Sequence, residues 1–298
     1  MTRPVSTALD GVASRIEHAE ALDKPSEMLA GLLRKVLPSG VAANVLSGSL
    51  IGHPLHPVLV SVPIGSWTAA TALDLTGSDA KAAQRLIAIG ALAAVPTALT
   101  GANDWLTTKG AERRIGLVHA SLNYTALGLY TASWLARRRG RRVKGAALAL
   151  VGGGVMGAAG WLGGHLAYAL GVGVDTTVFQ HFPRGWTDVG AEVDVLADKP
   201  MRVDADGVPV LLARDQGTIV ALADRCTHRG GPLHEGTVAD GCVTCPWHGS
   251  QFRLADGSLV RGPATRPEPA AEVRVVSGRV QVRRSDEPRG LRTSPVGH

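Results

Sequence analysis

Cysteine is scarce in this 298-residue sequence, with three residues at 226, 242 and 245. All three fall in one short stretch, which excludes a disulfide framework spread over the chain. The first fifty residues mix charged with apolar positions and lack an h-region, so no secretory signal peptide is expected there. Charge is sparse over 57–174, where Ala, Gly, Leu and Val dominate and the charges sit in short clusters. A positive excess is missing from the C-terminal part: 176–298 hold 15 Lys or Arg against 15 Asp or Glu, whereas 1–175 hold 16 against 10. The net charge of +6 therefore belongs to the apolar half. That placement reads as a loop-charge topology signal and argues against a nucleic-acid-binding surface.

Four apolar stretches are present, at about 58–75, 86–102, 115–136 and 145–174. Each is close to the roughly 20 residues that cross a bilayer. The reading is a four-helix transmembrane bundle over 51–174, with Gly153, Gly157, Gly160 and Gly164 allowing close packing of the last helix. The third connection carries Arg137, Arg138, Arg139, Arg141, Arg142 and Lys144, which belong on the cytoplasmic side. Both termini then face outward. Lys109, Arg113 and Arg114 in the second connection oppose that orientation.

Ahead of the bundle, Leu9, Val12, Ile16, Met28, Leu29, Leu32 and Val36 recur at helical spacing, so 1–50 is read as amphipathic helices divided near Pro25. Beyond a linker at 175–186, strand-like runs appear at Glu192–Leu196, Val208–Leu212, Thr218–Leu222, Ala271–Val276 and Arg279–Arg283. Gly, Asp and Pro separate them, which fits a small antiparallel β domain over 187–284. A polar tail is expected over 285–298. The fold class is thus α + β in two domains.

The chemistry concentrates in Cys226-Thr-His228, followed after sixteen residues by Cys245-Pro-Trp-His248. Two loops, each offering one Cys and one His, can grip two irons from opposite sides. Cys on one iron and His on the other is the Rieske donor set. Zinc is the rival metal, since Cys₂His₂ also suits a structural zinc site. Cys242 reads as a buried thiol outside the ligand set. His234 reads as a loop residue or a tuning residue.

The runs CTHRGGPLHEG (226–236) and CVTCPWHGSQF (242–252) resemble a Rieske [2Fe–2S] domain. The resemblance implies an antiparallel β sandwich with the cluster at one tip. Cys226 and Cys245 would hold the inner iron, and His228 and His248 the exposed one. Trp247 and Pro246 would shield the cluster, and Ser250 would supply a hydrogen bond. Rieske proteins of quinol-oxidising complexes carry an extra Cys in each loop. Gly231 and Trp247 stand at those places here, so that disulfide is absent. Phe252 stands where those proteins have a Tyr hydroxyl. Fewer hydrogen bonds imply a lower potential, and the motif is closer to ferredoxin-type Rieske domains. The stretch after His248 offers one further His, at 298, and no 2-His-1-carboxylate set. A complete Rieske oxygenase is therefore not expected.

The run GHPLHPVLVSVPIGSWTAATALDL (52–75) resembles an uncharacterised bacterial four-helix membrane family, a domain of unknown function. His53 and His56 open the first span, His119 the third, and His165 lies near the end of the fourth. An up-down bundle places them at one membrane face, on the side where the β domain follows. Ionisable residues inside a bundle are functional candidates. The alternatives are haem b or another metal, a quinone or proton site, and interfacial His satisfied by backbone and water. The expected protein is a multi-pass protein of the bacterial inner membrane with its Rieske domain on the outer face. It would exchange single electrons with a haem, a quinone or a partner protein. The alternatives are a ferredoxin-like donor to a separate oxygenase and a redox or iron sensor.

Overall fold

A computed structural model describes residues 4–196 and 199–286. It divides into two compact units, Met1–Ser39 with Leu55–Val172, and Gly40–Pro54 with Gly173–His298. In sequence the two units alternate, each built from two separate pieces.

The helical unit begins with α1 (Pro4–Glu17) and α2 (Asp23–Val36). Pro25 falls in the first turn of α2, where its missing N–H costs no hydrogen bond. The break comes earlier, at the 3₁₀ turn Glu20–Leu22. The short α3 (Val41–Ser47) belongs to the second unit. The long elements are α4 (Leu55–Leu59) running into α5 (Ser61–Leu75), α6 (Ala80–Trp105), α7 (Gly110–Arg138) and α8 (Arg142–Gly164). A π-helical turn, His165–Ala169, extends α8.

Asp79 caps α6, its carboxylate accepting from the backbone N–H of Lys81 at 2.8 Å and of Ala82 at 3.0 Å. Trp67 stacks on Tyr130 with ring centroids 4.1 Å apart and donates to the Ile87 carbonyl at 3.2 Å. Among the described residues three helices are long and apolar enough to cross a membrane: Leu55–Leu75, Ala80–Trp105 and Arg142–Ala169. The expected third span lies in α7, which has the length. Glu112, Arg113, Arg114, His119 and Asn123 lower its hydropathy in the first half, and Arg137 and Arg138 end it.

Two of the loop charges used for orientation are neutralised by partners. Arg137 is buried and forms a bidentate ion pair with Asp74 of α5, with Nη1 donating to Oδ1 at 2.8 Å. Arg114 forks onto Asp23 of α2 at 2.6 and 2.7 Å. Neither can be counted as a free loop charge.

Among the described residues of the second unit, ten strands form two antiparallel sheets. They are β1 (Thr187–Ala191), β2 (Met201–Ala205), β3 (Val208–Asp215), β4 (Thr218–Ala223), β5 (Thr237–Ala239), β6 (Cys242–Thr244), β7 (Gln251–Arg253), β8 (Leu259–Arg261), β9 (Ala270–Val276) and β10 (Arg279–Arg284). The six-stranded sheet runs β1-β10-β9-β4-β3-β2, and the four-stranded sheet β5-β6-β7-β8. Strand β3 is buried on both faces. Val210 and Leu212 enter a core with Ile219, Ala221, Val280 and Val282, while Leu211 and Ala213 enter one with Leu222, Val243 and Phe252. This period-2 division ties the sheets together.

The strand expected at Glu192–Leu196 is instead a 3₁₀ turn, Glu192–Asp194. Arg214 explains it: its guanidinium gathers the carbonyls of Val195 at 2.8 Å and Glu192 at 3.2 Å, so the segment needs no sheet partner there. The expected tail lies, from residue 287 onward, outside the described residues.

Candidate metal centre

Two loops of the second unit carry the Cys and His residues singled out from the sequence. The first follows β4 and the second joins β6 to β7. Their backbones repeat one pattern. In the first, Cys226 N donates to Gly231 O at 2.9 Å and Cys226 O accepts from Gly230 N at 2.8 Å. In the second, Cys245 N donates to Ser250 O at 2.8 Å and Cys245 O accepts from Gly249 N at 3.0 Å. Gly230 and Gly249 sit at equivalent places with φ of 73° and 74°, a region glycine enters without Cβ strain. Each loop is therefore a tight, internally bonded turn presenting one Cys and one His.

Cys226 and Cys245 are buried in the core with Leu233, Phe252 and Ala264. The two thiols lie within hydrogen-bonding reach of each other. That bond and burial push Cys226 up, while the same bond, helped by the Trp247 and His248 backbone N–H groups, lowers Cys245 to about 6. The imidazoles of His228 and His248 meet edge to face with centroids 5.1 Å apart. Burial, then the neighbouring His248 and Arg229, lowers His228 to about 3. Metal ligation requires neutral imidazoles and ionised thiols, a condition His228 and Cys245 meet on their own and Cys226 does not. Among the described residues no group of three or more His, Cys, Asp or Glu converges on a single point. Two donors per metal are what a binuclear iron centre asks for.

Supporting side chains surround the loops. Ser250 is fully buried and its Oγ accepts from Ala264 N at 2.9 Å, which leaves the hydroxyl proton for another acceptor. Trp247 is half exposed beside His248. His234 braces the first loop: its Nδ1 donates to Asp224 Oδ2 and its backbone N to Asp224 Oδ1, both at 2.8 Å. Cys242 is buried on β6, outside both loops, and burial raises its pKa.

Sequence reasoning missed Asp224, Thr176 and Glu268. Glu268, fully buried, accepts from Thr227 N at 3.0 Å. A Glu in a Pro-rich loop carried no periodic signal that could have marked it.

Gly231 is close-packed rather than merely small. An added Cβ would meet Cys245 Sγ at 2.9 Å and the Trp247 ring at 3.0 Å. Gly231→Ala should therefore displace the second loop at a cost of about 1–3 kcal/mol. The expected outcome is a clear drop in iron bound per protein, measured by elemental analysis. Unchanged iron content would show that the loops yield.

Of the candidate histidines, the three in the helical unit, His56, His119 and His165, do not form one site. His56 and His119 meet edge to face with centroids 6.5 Å apart. His56 Nδ1 donates to Thr97 O at 3.0 Å and His119 Nδ1 to Ala159 O at 2.8 Å. Their rings press on glycines of neighbouring helices: a Cβ at Gly101 would meet His56 at 2.8 Å, and one at Gly163 would meet His119 at 3.0 Å. This geometry lends haem no support. His165 instead bonds Glu17 Oε1 of α1 at 2.7 Å. His53 belongs to the second compact unit.

Two antiparallel sheets bearing adjacent, matched Cys-and-His loops define a class, the small β domains that carry iron–sulfur clusters. Within that class the chain belongs to the Rieske [2Fe–2S] domain family, which it matches over residues 185–282. Residues 52–176 match a second family, described as Predicted membrane protein (DUF2231). The anthranilate 1,2-dioxygenase ferredoxin subunit of Burkholderia cepacia is 33% identical over 97 residues, covering 33% of this chain and 90% of that protein. Apoptosis-inducing factor 3 of Homo sapiens is 37% identical over 78 residues, and the chain spans 13% of its length. Among solved structures, the ferredoxin of carbazole 1,9a-dioxygenase from Nocardioides aromaticivorans IC177 is 24% identical. The match covers 34% of this chain and 98% of that one, with a TM-score of 0.32. The Rieske domain makes this chain a [2Fe–2S] electron carrier.

Proposed function

We propose that this chain is a membrane-anchored one-electron carrier whose cluster is held by Cys226 and Cys245 on the inner iron and by His228 and His248 on the outer iron. The observation that supports this most is the repeated loop geometry, in which two glycine-closed turns each offer one thiol and one imidazole. When bound, the cluster takes up and releases one electron at a time. The protein's own residues do the remainder. The loops hold the four donors, Ser250 and the loop N–H groups supply hydrogen bonds, and Pro246 and Trp247 shield one side. The imidazole side is left as the route for electrons. Helices over 55–75, 80–105, 110–138 and 142–164 would form the multi-pass anchor in a bacterial inner membrane. The remaining basic residues Arg138, Arg139, Arg141, Arg142 and Lys144 would lie in the cytoplasm and the Rieske domain on the outer face. A quinone or a membrane-bound protein would then be the electron partner. Absorption and EPR spectra of detergent-purified protein test the cluster. Protease access to the β domain in sealed cells tests the side. Zinc in place of iron and sulfide would overturn the first reading.

The reduction potential is expected below that of quinol-oxidising Rieske centres, because Phe252 supplies no hydroxyl. Redox titration followed by EPR checks this, and a value near the top of the Rieske range would refute it.

A second reading, a ferredoxin-like donor to a separate oxygenase, is favoured by the near full-length match to a ferredoxin subunit. Co-purification with a catalytic subunit would select it.

A further inference from the structure

The Rieske match begins at residue 185, yet the cluster-bearing unit also contains residues 40–54 and 173–184. Both additional segments hydrogen-bond to the loops around the proposed cluster. From the N-terminal side, Asn44 Oδ1 accepts from Gly262 N at 3.0 Å, and Ser49 Oγ donates to Ala264 O at 2.8 Å while lying 2.7 Å from Ser47 Oγ. Ala264 is held on its other side as well, since its N–H donates to Ser250 Oγ. From the C-terminal side, Thr176 Oγ1 donates to Cys226 O at 2.8 Å and Thr176 N to Thr227 O at 3.1 Å. Thr177 N and Oγ1 both donate to Asp175 Oδ1, closing the turn that aims Thr176. Thr227, between two proposed ligands, is thereby held at its carbonyl by Thr176, at its N–H by Glu268 and at its hydroxyl by the Arg266 carbonyl.

We propose that segments 40–54 and 173–177 are positioning straps for the cluster, with Ser49 acting through the placement of residue Ala264 and Ser250, and Thr176 acting through the Cys226 and Thr227 carbonyls. The inference rests on the proposed cluster site and adds to it residues outside the Rieske fold. Hydrogen bonds in series polarise one another. Ser49 fixes the Ala264 carbonyl and so positions Ala264, whose N–H, in the preceding peptide group, donates to Ser250 Oγ and makes Ser250 a stronger donor toward the cluster. Donors near a cluster's sulfur raise its potential. Thr176 gives the Cys226 carbonyl a second donor beside Gly230 N, further offsetting a negative end that opposes added electron charge. Loss of either strap therefore lowers the potential and loosens the loop it holds.

The test uses full-length protein with Ser49→Ala, Thr176→Val and the conservative Thr176→Ser. Reduced-state EPR g values, midpoint potential and the rate of iron release to a chelator are the readouts. Ser49→Ala and Thr176→Val should each lower the midpoint, shift the g values and speed iron release roughly three- to ten-fold, the loss of about one hydrogen bond. Thr176→Ser should restore wild-type values. Wild-type g values and midpoints in both deletion variants, even with lower thermal stability, would reduce the straps to scaffolding and overturn the proposal. Absence of a Rieske signal in the wild-type protein would overturn the cluster assignment instead.

Discussion

Replacing Cys226 or Cys245 by serine should strip the purified protein of nearly all its iron and acid-labile sulfide. Both thiols are buried in one core, at 1% and 2% exposure, and they are the donors proposed for the inner iron. A serine hydroxyl does not ionise near neutral pH, so the substitution removes the anionic donor while keeping the shape. A buried hydroxyl left without its partner adds a cost of about 1–3 kcal/mol to the β domain. Cys242→Ser is the internal control: it sits on β6 outside the loops and should retain a full cluster. Iron and sulfide assays with EPR on the three variants decide the matter. Full sulfide in Cys245→Ser, or loss in Cys242→Ser alone, would reassign the ligands.

The second large effect lies in the helical unit. Asp74→Ala should destabilise the protein by about 3–5 kcal/mol, because it strands the Arg137 guanidinium without its counter-charge. The pair is dry, with Arg137 at 3% and Asp74 at 7% side-chain exposure. Ser133 adds to the enclosure by accepting from Arg137 Nε at 3.2 Å and donating to the Gly145 carbonyl at 2.6 Å. Replacing both partners with apolar residues, Asp74→Leu with Arg137→Met, should recover most of the loss, since neither charge then remains to be solvated. Thermal unfolding in detergent of the two single variants and the double variant measures this. A wild-type transition in Asp74→Ala would show that Arg137 reaches solvent.

Local spacing carried the main assignments. The Cys-Thr-His and Cys-Pro-Trp-His pairs sit on turns closed by hydrogen bonds between residues four and five apart. A contact that local is written in consecutive letters, Gly230 and Gly249 included. Long apolar runs and period-2 strands are likewise local patterns, so the helical half and the antiparallel β half were legible without coordinates. The 3₁₀ turn at Glu192–Asp194 was not, because Arg214, some twenty residues on, supplies its hydrogen bonds.

By itself, then, the amino-acid order determined the family, the two kinds of domain and the two Cys/His pairs, since each depends on residues within a turn or a strand of one another. Tertiary structure alone decided that Arg137 pairs with Asp74, that His165 meets Glu17 and not His56 or His119, and that Ser49 reaches Ala264. Those partners lie 63, 148 and 215 positions apart. At such separations no periodicity links the residues, and only the folded chain, by burying polar groups that must find partners, selects which of them meet.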